Sequence, residues 1–88
     1  MNCNKTIETN ISEEIFLLEI EKAKKCVAKV LNIDLNDIEE IANEDVLVKL
    51  DKREKKLCNR RIFNFQSGSL DCYMSKDLEF IEIFHHPN

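Results

Sequence analysis

The side chains best suited to nucleophilic or metal chemistry are four cysteines, Cys3, Cys26, Cys58 and Cys72, and two histidines, His85 and His86. A catalytic thiol requires a base within hydrogen-bond reach and a third group that orients the base. Both histidines stand beside Pro87 and Asn88 at the end of the sequence, and they meet Cys58 or Cys72 only if the last strand runs along one of theirs. Structural zinc is normally held by close pairs of ligands from tight turns, whereas Cys58 and Cys72 are 14 positions apart. A phosphate-cradling loop needs several glycines, and Gly68 is the single one present. The carboxylates Glu39, Glu40, Glu44 and Asp45 read as the solvated side of a short helix and its exit, with no pocket deep enough for acid–base work. These patterns predict no catalytic residue, no metal and no cofactor, and hence a protein that is not an enzyme.

No C-x-x-C pair occurs, and no charged start followed by an apolar run marks a leader. The cysteines are therefore expected to be reduced and packed in a core, as in a cytoplasmic protein. A disulfide would need Cys26 on a helix to meet Cys58 or Cys72 on later strands. No apolar run approaches the ~20 residues that span a bilayer, so no membrane is expected as a partner.

An 88-residue chain with 43% hydrophobic and 34% charged residues can build one core and no more. Residues 1–9 lack periodicity and read as a flexible N-terminal arm that Ile7 could anchor. The domain proper spans 10–86, with a tail at 87–88. Ser12 or Asn10 can cap a first turn whose Glu13 and Glu14 suit the positive end of a helix. The apolar stripe Phe16, Ile20, Ala23, Val27, Val30 and Leu31 continues this helix to about Leu31. Leu35, Ile38 and Ile41 recur at three-residue spacing and predict a short second helix, capped by Asp34 or Asn36. Alternating runs then follow around Val46 to Leu50, Cys58 to Gln66, Leu70 to Met74 and Leu78 to Phe84. Ser67-Gly68 and Ser75-Lys76-Asp77 make the later turns. The expected fold is α+β: one long N-terminal helix and a short second one, packed on a three- to four-stranded antiparallel meander.

Charge is the informative asymmetry. Residues 49–61 carry Lys49, Lys52, Arg53, Lys55, Lys56, Arg60 and Arg61 against Asp51 and Glu54, a balance of +5 within a chain of net charge −4. Residues 34–48 hold Asp34, Asp37, Glu39, Glu40, Glu44 and Asp45 with no base, a run of −6 immediately before it. The start of the helix is also greasier than one buried face requires, since Leu17, Leu18, Ile11 and Ile15 point outside the main stripe.

The expectation is a small, non-catalytic binding protein that associates stoichiometrically with a protein partner or a nucleoprotein complex. Lys52, Arg53, Lys55, Lys56, Arg60 and Arg61 would steer the encounter, with Leu17 and Leu18 as apolar anchors. Ile11, Ile15 and Leu18 offer a surface for a homodimer. Lysine outnumbers arginine ten to three, a bias of AT-rich genomes, and small motif-poor chains of that origin include phage and mobile-element inhibitors of host defence nucleases. The alternative is a nucleic-acid-binding module in which the basic hairpin 49–61 contacts phosphates.

Overall fold

The computed structural model describes residues 3–88; residues 1 and 2 of the expected arm lie outside that description. Helix α1 spans Glu13–Leu31. Ser12 caps it in an extended conformation, and its hydroxyl accepts the Ile15 N–H at 3.1 Å. Asn32 ends it in the left-handed region at φ 55°, where the following Ile33 N–H donates to the Ala28 carbonyl at 3.0 Å. The expected stripe is buried at Phe16, Ile20, Ala23 and Val27, while Val30 drifts out to 36% exposure.

Five antiparallel strands form one sheet: β1 (Lys5–Ile7), β2 (Glu39–Val48), β3 (Lys56–Phe65), β4 (Gly68–Ser75) and β5 (Ile81–Pro87). Their spatial order is β1-β5-β4-β3-β2, so four strands run as the anticipated meander and β1 adds a fifth at the far edge. The arm is therefore not loose at Lys5–Ile7. It pairs with β5 in the register Lys5 to Ile83 and Ile7 to Ile81.

The short second helix is not formed beyond a single 3-10 turn, Leu35–Asp37, capped by the Asp34 carboxylate accepting the Asn36 N–H at 2.9 Å. The chain is already extended at Glu39. The register of β2 against β3 shifts between Glu40 and Ala42, which makes Ile41 the extra residue of a bulge. That insertion stretches the apolar spacing to three and gives a strand entrance the look of a helix. Glu39, Glu40, Glu44 and Asp45 accordingly lie on a strand and not on a helix face.

The β3–β4 turn is Gln66-Ser67, with Gly68 opening β4 opposite Phe65. Gly68 has φ 154°, and a Cβ there would collide with the His86 carbonyl oxygen on β5. Close approach of the neighbouring backbone, more than the turn itself, is what demands glycine. The β4–β5 connection places Leu78 at φ 59°, a costly position for a leucine. Ser75 holds it there: its buried hydroxyl accepts the Glu79 N–H at 2.8 Å and the Phe80 N–H at 3.0 Å.

Strand alternation gives the sheet two unlike faces. Phe63 and Phe65 of β3, Leu70, Cys72 and Met74 of β4 and Ile81 and Ile83 of β5 meet Phe16, Ile20, Ala23 and Val27 of α1 in the main core. On the opposite face Cys58, Tyr73 and Phe80 form a smaller cluster, flanked by Val48, Leu50 and Phe84. The helix packs mainly over β4 and β5.

The cysteines correct the expectation of four reduced thiols. Cys3 and Cys26 form a disulfide with their Cα atoms 6.0 Å apart, whereas Cys58 and Cys72 are free and buried. Cys26 thus finds its partner in the arm and in neither later strand. The link is reinforced beside it, where the Lys5 ammonium lies 2.7 Å from the buried Glu19 carboxylate. Burial opposes ionisation of Glu19, but hydrogen bonds from Lys5 and Lys22 hold its carboxyl below the usual range. The thiol argument for a cytoplasmic setting is thereby removed for Cys3 and Cys26. No helix among the described residues is long and apolar enough to cross a membrane.

Closing a loop across a sequence separation of 23 is worth about 3 kcal/mol of chain entropy. Reduction with dithiothreitol, or Cys26→Ser, should therefore lower the urea midpoint by the equivalent of that amount. Identical midpoints with and without reductant would show that the crosslink adds nothing to stability.

Candidate binding surface

The six cations expected to steer a partner do not act as one patch. Arg53 lies over the Phe80 ring at 4.2 Å, donates to Glu82 at 3.0 and 3.2 Å, and approaches Glu8 at 3.5 Å. Partial burial opposes its charge, yet Glu82 raises its pKa above the usual value. Lys56 bonds Asp77 at 2.6 Å and Glu79 at 2.5 Å, and these two carboxylates raise its pKa. Arg60 pairs with Glu44, its register partner on β2, and Glu44 raises its pKa in turn. Arg61 donates to the Asn59 side chain at 3.0 Å and has its guanidinium 5.9 Å from the Phe16 ring centre. Lys52 and Lys55 are exposed and make no ion pair among the described residues. The basic run is thus largely neutralised, mostly by acids that come after it in sequence.

Leu17 and Leu18 are 41% and 49% exposed and face different surroundings. Leu17 borders a groove of about 290 Å³ between α1 and the sheet, together with Ile20, Lys24, Glu40, Arg61 and Phe63. Leu18 has no place in that groove. Ile11 and Ile15 are partly buried against the main core, so Leu18 is the one member of the expected dimer patch that stays exposed.

The side of the sheet that α1 leaves bare was not anticipated. Leu47 on β2 and Leu57 on β3 sit directly across from each other and are 58% and 49% exposed. The two-residue period from Phe63 through Arg61 and Asn59 puts Leu57 on the face that carries the helix, beyond the helix's reach. Between the leucine pair and the groove runs a polar row. Asn59 donates to Asn43 at 3.0 Å and to Asp45 at 3.1 Å, and Arg61 stands next to it. Ile41, pushed out by the bulge, is 54% exposed. Leu17 and Arg61 are therefore brought together with Leu47 and Leu57 along one open flank. The alternation Val46, Leu47, Val48 implies in sequence that both faces are at least partly covered, and the face of Leu47 is not, because α1 packs mainly over β4 and β5.

Of the two imidazoles, His85 lies on the face of Cys72, opposite Leu70 and 5.8 Å from the Phe65 ring, and burial lowers its pKa; no hydrogen bond joins either imidazole to a thiol among the described residues. His86 faces the sheet side away from α1, 3.4 Å from Asp71, whereas Cys72 belongs to the core under α1. Burial, with Asp71 adding to it, pushes the Cys72 thiol up to about 12, and burial likewise raises Cys58. No group of three or more potential metal ligands occurs among the described residues. Comparison with protein-family models, curated proteins and solved structures finds no match to this chain.

Two expectations follow from this geometry. Iodoacetamide at pH 8 should modify Cys58 and Cys72 slowly and alike; one fast-reacting thiol would reopen a catalytic role. Arg53→Ala should cost about 2 kcal/mol through lost charged hydrogen bonds and ring contact, while Lys52→Ala should stay within about 0.5 kcal/mol of wild type. Equal effects in denaturant titrations would mean that the cations are energetically interchangeable.

Proposed function

We propose that the protein is a small non-catalytic binding module that associates stoichiometrically with a protein partner through the flank bearing β2 and β3. The observation that carries this reading is the pair Leu47 and Leu57, large apolar side chains exposed directly across from each other on the helix-bearing face, with Leu17 beside Arg61 at the far end of the polar row. Water-exposed leucines on an open strand pair are costly to keep and gain free energy when covered. The basic run contributes structure here, since Arg53, Lys56 and Arg60 are held by carboxylates. Four of the acids of residues 34–48, Glu39, Glu40, Glu44 and Asp45, by contrast lie along the outer strand, and Glu39 and Glu40, in no ion pair among the described residues, suit a cationic partner surface. A nucleic-acid-processing enzyme has such a surface, which is the support within this reading for inhibition of a host defence nuclease. Nucleic-acid binding by the hairpin would depend on Lys49, Lys52, Lys55 and Arg61, the cations that no carboxylate holds among the described residues, and Asp51 and Glu54 reduce them to a balance of +2, small for a strong phosphate contact.

Affinity capture tests the surface with wild type, with Leu47→Lys combined with Leu57→Lys, and with Lys52→Glu combined with Lys55→Glu. The expected result is a stoichiometric partner retained by wild type and by the lysine-to-glutamate protein and lost by the leucine variant. Loss in the lysine-to-glutamate protein alone would move the site to the hairpin. A chain that retains nothing stoichiometrically would overturn the reading.

A further inference from the structure

The backbone of β2 defines what kind of partner segment fits. The Leu57 carbonyl accepts the Lys76 N–H at 2.9 Å, so the peptide groups of Leu57 point toward β4. Leu47, opposite Leu57, therefore belongs to a pair that exchanges no ladder bonds, and its own N–H and C=O point away from β3. With the two-residue period, Asn43 and Asp45 direct theirs outward as well. Nothing in the described fold lies beyond β2, which closes the sheet order on that side. The strand is ten residues long, whereas β1 at the other edge has three.

Resting on the proposed binding role, the geometry points to a more specific occupant: an extended segment of a partner protein, bearing lysine or arginine among apolar residues, that adds to β2 as a sixth strand. Asn43, Asp45 and Leu47 would supply the main-chain hydrogen bonds. Leu47 and Leu57 offer an apolar contact on the face that carries α1. Glu40 lies on that same face and Glu39 on the opposite one, both exposed and in no ion pair among the described residues, so a cation projecting to either side of the incoming strand meets a carboxylate. A second copy of this chain is a poor occupant, because β2 carries Glu39, Glu40, Glu44 and Asp45 and no base, so pairing it with itself brings like charges together, Asp45 against Asp45 when the outward residues pair antiparallel. Those acids also guard an edge that would otherwise self-associate.

Amide hydrogen exchange by NMR tests this with two synthetic peptides, one alternating lysine with valine and one with glutamate in place of lysine. The lysine peptide should slow exchange at Asn43, Asp45 and Leu47 and leave Glu44 and Val46, already bonded to β3, unchanged. The glutamate peptide should do neither. Leu47→Pro, which removes an outward N–H without touching the ladder, should weaken the lysine peptide up to about tenfold beyond Leu47→Ala, the scale of one hydrogen bond. Wild-type protein reports the alternating protection whether or not the proline variant folds. Absence of protection, protection at every residue of β2, or protection confined to residues 49–55 would overturn strand addition. A partner captured through Leu47 and Leu57 in the absence of this alternation would leave the binding role standing and remove the strand.

Discussion

A single helix cannot cover a five-stranded sheet. An α-helix with its side chains is about 10–12 Å across, whereas strands spaced ~4.8 Å apart spread five of them over roughly 20 Å. Helix α1 lies mainly over β4 and β5, where Phe16, Ile20, Ala23 and Val27 meet Leu70, Cys72, Ile81 and Ile83. The other consequences descend from that mismatch. The three-residue β1 is carried along at one side by the Cys3–Cys26 bond and the Lys5–Glu19 pair, while β2 at the other side is left without a cover.

Electrostatics follow the same division. The turn after β2 and the connection before β5 come close together, so Arg53 meets Glu82 and Lys56 meets Asp77 and Glu79. These pairs cross sequence separations of 21 to 29 residues. A hairpin that is strongly basic in one dimension is close to neutral in three. The opposite holds for residues 34–48, whose acids are spread over the 3-10 turn and the outer strand, where Arg60 and Lys76 offset two of them, Glu44 and Asp45.

What was legible in the chain tracks the range of the forces involved. Helix α1 could be read to its ends because the Ser12 cap, the acidic first turn and the apolar stripe are all local. The four later strands were visible in their alternation. β1 was not, since Lys5–Ile7 has no pattern of its own and is extended only because β5 and the disulfide hold it. The 3-10 turn and bulge before β2 mimicked a helix because one inserted residue, Ile41, lengthened the apolar spacing. Of the residues on the proposed surface, Leu17 and Arg61 were singled out in the sequence by apolar position and charge. Leu47 and Leu57 were missed because judging them uncovered requires knowing where the helix stops.

The unequal edges limit how the sheet can grow. Extension at β1 meets a stub of three residues stapled to the helix, and a sheet that accepts a neighbour on one side only cannot propagate. An added strand would end the series where it began, giving a closed one-to-one complex and no filament. The bond between Cys3 and Cys26 thus ties the short margin of the sheet to the helix, while the long margin carries no such tie.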